Sequence, residues 1–130
     1  MKPGLFSTVL AAFLAAGTAS AGDLRGDWRT EPDRKGQTGD VQVTPCGVAF
    51  CGTIVRAHDK TGAQITTPNV GRQILFDFAK DASGAYTGEV YVPLMKAKFA
   101  ATIRVSGASM TMRACNAMGV CRTQTWSRVP

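Results

Sequence analysis

The stretch M-T-M-R-A-C-N-A-M-G-V-C-R-T-Q-T-W-S-R-V, residues 110–129, decides how the rest of the chain is read. Met110 and Met112 face one way and Thr111 and Arg113 the other, which is the period of a strand. Cys115 and Cys121 bracket a tight turn, and a second strand follows it, carrying Trp126 and Arg128. Near the start of the mature chain Gly26-Asp27-Trp28 reads as the partner of that last strand. Joining the two ends forces everything between them to wind as strands around one core.

Working outward, Phe99, Ala101, Ile103 and Val105 alternate with Lys98, Ala100, Thr102 and Arg104, the cleanest period-two pattern in the chain. Ser106-Gly107-Ala108 turns that strand into the one holding Met110. Upstream, Ile74, Phe76 and Phe78 alternate with Leu75, Asp77 and Ala79. Asp81-Ala82-Ser83-Gly84 turns the chain, and Tyr86 to Val92 answers as the second arm of a hairpin. Towards the N-terminus, Trp28 to Thr30, Val41 to Val43 and Phe50 to Ala57 are shorter strand signals. A polar loop at Glu31–Gly36 and the breaker Pro45-Cys46-Gly47 separate them. Residues His58 to Gly71 form the longest stretch without a strand pattern, and such loops often carry binding.

No helical apolar period persists outside the first residues. The pattern predicts an all-β fold, a small antiparallel up-and-down β-barrel of about eight strands with hairpin-length connections. A two-sheet sandwich satisfies the same alternation. Gly52 and Gly88 fall within strand patterns, where bends let a small sheet curl shut. The narrow interior would be filled mostly by Phe, Ile, Val and Met.

The first residues point to export. Lys2 precedes an apolar run from Leu5 to Gly17, and Ala19-Ser20-Ala21 supplies a small-residue cleavage site, so residues 1–21 read as a signal peptide. The run is short against the ~20 residues of a spanning helix, and nothing later in the chain is apolar enough to span. Residues 22–130 are then one domain, expected to act as a monomer in the periplasm. Losing Lys2 takes the net charge from +6 to +5. The basic residues are dispersed and no stacking aromatics are interleaved with them, which argues against nucleic acid and for a solvated basic surface.

Four cysteines in so small an exported chain point to disulfides. Three pairings exist, and the spacing favours Cys46–Cys51 and Cys115–Cys121, each stapling a hairpin tip. Without a C-x-x-C, and with His58 as the one histidine, a redox, metal or haem site has little support. Met110, Met112 and Met118 could offer thioethers to Cu(I), but alternate Met on a strand is what a packed face looks like. No cofactor is expected.

The ordered set G-D-W at 26–28, V-x-V-x-x-C at 41–46, C-G-T-I-V at 51–55, the strand from Arg72 to Phe78, G-E-V-Y-V-P at 88–93 and C-R-T-Q-T-W-S-R-V at 121–129 resembles the bacterial exported family named domain of unknown function 2147. The resemblance covers nearly the whole mature chain. It implies a calycin-like, lipocalin-resembling barrel in the envelope of Gram-negative bacteria, with no established activity. The chain departs from that pattern in a shorter polar insertion before Gln73, in Val92 where an Asp is usual, and in Lys96 where a Gly is usual. The resemblance also implies a structural role for Gly26, Trp28, Trp126 and Arg128: a G-x-W on the first strand packs under an Arg of the last strand and plugs one end. Arg128 fits that scheme, with Arg122 as the alternative.

No catalytic residues are assigned. The favoured function is a non-catalytic periplasmic module taking a small apolar ligand or an envelope protein at the open end. Its cavity would be lined by Phe76, Phe78, Ile103 and Met112, with His58 on the rim. A rival reading is a hydrolase in which Asp59 orients His58 as general base and Ser83 or Thr66 is the nucleophile. A third is a structural envelope protein with a filled barrel and no ligand.

Overall fold

The computed structural model describes residues 23–130, which form nine antiparallel strands and no helix. The strands are β1 (Gly26–Arg29), β2 (Thr38–Cys46), β3 (Ala49–His58), β4 (Gln64–Ile65), β5 (Gln73–Lys80), β6 (Tyr86–Val92), β7 (Ala97–Ser106), β8 (Ser109–Cys115) and β9 (Cys121–Arg128). All but β4 close into an eight-stranded up-and-down barrel. Successive strands pair along the chain, and β1 pairs β9 through Trp28↔Arg128 and Arg29↔Ser127 to complete the ring. The sandwich alternative is thereby removed. The short β4 folds back on the end of β3, so the expected long loop contains a small hairpin. The expected signal peptide lies outside the described residues.

β2 continues through Pro45, where the sequence pattern stopped it. Pairing with β1 begins only at Val43, so Pro45 faces no β1 partner and its missing N–H breaks no bond on that side.

Closure follows from the inward side chains. Trp28, Val41, Val43, Leu75, Phe78, Ile103 and Met110 are all fully or almost fully buried, and they belong to one core with Ile54, Val90, Met112 and Trp126. Burying each large apolar side chain contributes about 1.5–3 kcal/mol. Two glycines make the narrow bore possible. A Cβ on Gly52 would lie 2.9 Å from both Leu75 and Val41, and one on Gly88 would lie 2.6 Å from the Phe76 carbonyl oxygen and 2.8 Å from the Phe78 ring.

In β5 the alternation read from sequence does not hold. The register against β6 slips between Phe76 and Ala79, and Asp77 takes a left-handed φ of 55°. This bulge lets Leu75 and Phe78, three residues apart, both face the core. Phe76 instead pairs with Glu89 on the outer face, under the Lys98 ammonium 3.9 Å from its ring centre.

Antiparallel order sorts the connections into two ends. The β1–β2, β3–β5, β6–β7 and β8–β9 connections lie at one end, called the mouth. The β2–β3, β5–β6 and β7–β8 turns and both ends of the described chain lie at the other, the floor. One turn design recurs at both. Asp33, Asp59, Asp81 and Asn116 each accept the N–H groups two and four residues on with one side-chain oxygen. A glycine of positive φ stands three residues on, at Gly36, Gly62, Gly84 and Gly119. The Cys46–Cys51 disulfide staples β2 to β3 at the floor, and Cys115–Cys121 staples β8 to β9 at the mouth.

Candidate functional site

The floor is sealed. The Trp28 indole N–H donates to the Leu24 carbonyl at 2.9 Å, and the Arg128 guanidinium lies over the indole, 4.2 Å from the ring centre. Arg128 donates to the carbonyls of Asp23, Arg25 and Gly107 at 2.7, 2.9 and 3.0 Å, tying the segment before β1 to the β7–β8 turn. Gly26 has a φ of 126°, and a Cβ there would sit 3.1 Å from the guanidinium. Trp126 is buried beside Met110, its register partner, with its indole N–H on the Gln124 side-chain oxygen at 2.8 Å. Arg122 lies at the other end of β9, away from Trp28.

The sequence reading placed Phe76, Phe78, Ile103 and Met112 round one cavity. The structure brings Phe78, Ile103 and Met112 together in the core, where Phe78 and Ile103 have no exposed surface and therefore no water-sized space beside them. Phe76 is on the outside of the wall.

His58 ends β3 at the mouth, paired with Thr38 and Gln64, and its Nδ1 is buried without a hydrogen-bond partner. Asp59 does not orient it. The Asp59 carboxylate accepts from the Thr61 hydroxyl at 2.6 Å and from the Thr61 and Ala63 N–H groups, which hold its pKa below the ordinary value. Ser83 is in the β5–β6 turn at the opposite end, its hydroxyl on Asp81 at 2.6 Å. The Asp59 carboxylate and Ser83 are thus engaged away from His58, whereas Thr66 follows β4 at the same end of the barrel as His58.

Nor do the methionines converge. Met110 and Met112 are in the core and Met118 is on an exposed turn. The Cys46, Cys51 and Asp77 donor atoms lie within 4.8 Å of one another, but the two sulfurs are bonded to each other, which leaves a single carboxylate.

Sequence reasoning missed an ionic group on the barrel wall. Alternation turns Asp27, Arg29 and Asp40 outward from Trp28 and Val41, and the register lines Arg29, Asp40 and Arg56 across three strands. Arg29 donates to Asp40 at 2.8 and 3.1 Å; Arg56 donates to Asp40 at 3.0 Å and to Asp27 at 2.9 Å. Asp40 is buried beneath the two guanidinium groups. Burial pushes its pKa up, but the hydrogen bonds from Arg29 and Arg56 outweigh that and hold it below the ordinary value. No local pattern signals this group, because its members are joined only by register.

The mouth is built differently from the floor. Ala101, Ala114 and Arg122 are neighbours in register across β7, β8 and β9, so they share the inner face. Ala101 is buried and Ala114 half-buried, while Arg122 and Gln124 are exposed, with partly buried Phe99 and Val92 alongside. Beside them β1 and β9 part beyond Arg29↔Ser127, and the Glu31 carboxylate takes the Thr125 N–H at 2.6 Å in place of a strand carbonyl. On the outer face Thr102, Arg104, Thr111, Arg113 and Thr123 line an open groove of about 290 Å³.

A structure titled "Protein HP1028 from the human pathogen Helicobacter pylori belongs to the lipocalin family" matches this fold with a TM-score of 0.66 at 16% sequence identity, covering 85% of each chain. No curated protein matches the chain. Residues 26–128, from the floor glycine of β1 to the arginine that closes over Trp28, match the family described as "Uncharacterized protein conserved in bacteria (DUF2147)", and the chain belongs to that family.

Proposed function

We propose that this protein is a non-catalytic binding module of the bacterial periplasm that seats a small amphipathic ligand in the mouth of the barrel. The observation that supports this is the contrast along the inner face. Large side chains fill the bore, whereas the mouth presents Ala101 and Ala114 beside exposed Arg122 and Gln124. The small, half-buried Ala114 leaves room, Phe99 and Val92 offer apolar contact, and Arg122 offers a charge for a carboxylate or phosphate. Export is supported by the two disulfides and by the leader pattern in the sequence.

Native mass spectrometry of the mature protein, purified gently from its own periplasm, tests this reading. The expected spectrum has an adduct that is lost on denaturation and is absent from Ala114→Phe, which fills the seat. A bare wild-type protein, lighter than the reduced chain by the hydrogens of two disulfides, would overturn it. That result would favour the second reading, a filled barrel acting through its surface, which rests on the complete burial of Trp28, Leu75, Phe78, Ile103 and Met110.

A further inference from the structure

The large apolar side chains left exposed are not scattered. Among the described residues, Leu94 (79%), Met95 (62%), Met118 (89%), Val120 (63%) and Val70 (36%) all stand on connections at the mouth, and only Val48 is at the floor. Leu94 and Met95 form the tip of the β6–β7 turn, which is held by Met95 N–H to Val92 and Lys96 N–H to Pro93 hydrogen bonds. Met118 and Val120 project from the β8–β9 turn, where Asn116 accepts both of their N–H groups. Because β7 pairs β8, these hairpins are neighbours on the rim, with the β6–β7 tip reaching further out along the strands. Ordered turns are holding bare apolar side chains out in water.

Charge is concentrated at the same end. Arg34, Lys35, Lys60, Arg72 and Lys96 are on the mouth connections, with Lys98 and Arg122 on the adjoining strand ends. None of them forms a salt bridge among the described residues. The acidic residues of these connections, Glu31, Asp33 and Asp59, are outnumbered by those seven cations, and their carboxylates accept backbone N–H groups. Asp33 and Asp59 accept from their own turns, and Glu31 accepts the Thr125 N–H. The mouth therefore presents a pair of apolar tips on a rim of net positive charge.

We infer that the mouth docks on the surface of an anionic lipid bilayer. Leu94, Met95, Met118 and Val120 enter the interface between headgroups and acyl chains, and Lys96, Arg122 and their neighbours meet lipid phosphates. A protein partner would have to match both the two tips and the cationic rim; a bilayer supplies apolar depth and diffuse negative charge to any such arrangement. The inference does not depend on a ligand in the barrel.

Co-sedimentation of the mature protein with vesicles tests it. Binding is expected to vesicles containing phosphatidylglycerol, with far less to pure phosphatidylcholine, and it should weaken as salt is raised. Leu94→Ser with Met95→Ser should reduce the affinity at least about tenfold, and removing Lys96 or Arg122 about fivefold each. Arg104→Glu with Arg113→Glu, in the outer groove, should change it far less. Circular dichroism and the thermal midpoint of each variant report that it is folded. Wild type left in the supernatant, equal binding to both lipids, or equal loss from the groove variant would overturn the inference. Ala114→Phe should still bind vesicles, so failure of the ligand reading and failure of this one are seen separately.

Discussion

Arg128 and Trp28, one residue from the end of the barrel and one from its beginning, are register partners, with the guanidinium stacked 4.2 Å from the indole centre. Their contact closes the ring and the floor together. The cation is favoured by the ring face, and the same group ties together three carbonyls at the chain's entry and at the β7–β8 turn with charge-assisted hydrogen bonds.

Arg128→Ala is therefore expected to destabilise the protein by about 2–4 kcal/mol, measured by urea unfolding. Arg128→Lys should recover less than half of that, because an ammonium keeps the charge but not the planar fork that reaches three carbonyls. Gly26→Ala should cost about 1–2 kcal/mol, since its φ of 126° suits glycine alone.

Acid should act through Asp40. Its folded pKa lies below the unfolded value of about 3.9, so the folded state binds the proton less readily. The stabilisation is complete above the unfolded pKa and is lost as pH falls through the folded one. Unfolding free energies at pH 7 and near pH 3 should show this loss in wild type and a shallower one in Asp40→Asn. At pH 7 the same variant should be less stable by about 2 kcal/mol, below the usual cost of breaking a buried ion pair because both arginines are partly exposed.

Gly88→Ala should be the most damaging single methyl group. It would press against the Phe76 carbonyl and the Phe78 ring, where neither backbone nor packed aromatic can retreat. A loss of about 2–3 kcal/mol is expected by thermal or urea unfolding. Gly84→Ala meets nothing within 4 Å, so its smaller cost should come from its positive φ alone.

Lys96 takes a φ of 52°, a conformation costly for a residue with a Cβ. Lys96→Gly should raise stability by about 1 kcal/mol in thermal unfolding. The same substitution removes a cation from the mouth, so it should also weaken vesicle binding. Gain in one measurement with loss in the other would mark a site where stability has been given up for contact with a partner.

Local pattern made the strands and their hairpin order legible because hairpins are local, while closure rests on the β1–β9 pairing. The alternation of Phe99 to Val105, the turns at Ser106–Ala108 and Asp81–Gly84, and the bracketing cysteines each specify a strand or its end without help from distant residues. The same chemistry carries a further signal: Asp or Asn followed three residues on by Gly marks one recurring turn at residues 33, 59, 81 and 116, whereas Asp23, with Gly26 at the same spacing, caps only the Arg25 N–H at the entry to β1. Reading it would have assigned Asp59 to a turn cap, away from His58. Ile74-Leu75-Phe76-Asp77-Phe78 misled for the opposite reason. Period two holds only while the pleat is unbroken, and the bulge at Asp77 reverses which residues face the core.

By itself the sequence determined that the chain is all β and which way most strands face, and its spacing favoured the cysteine pairing found, since these depend on neighbours a few residues apart. Tertiary structure alone decided that Arg29, Asp40 and Arg56 meet across three strands, that Phe78 and Ile103 leave no space in the bore, and that the bare apolar turns and half of the cations share one end. Those relations are set by ring closure and register, which bring together residues far apart in the chain and so leave no trace in any short stretch of it.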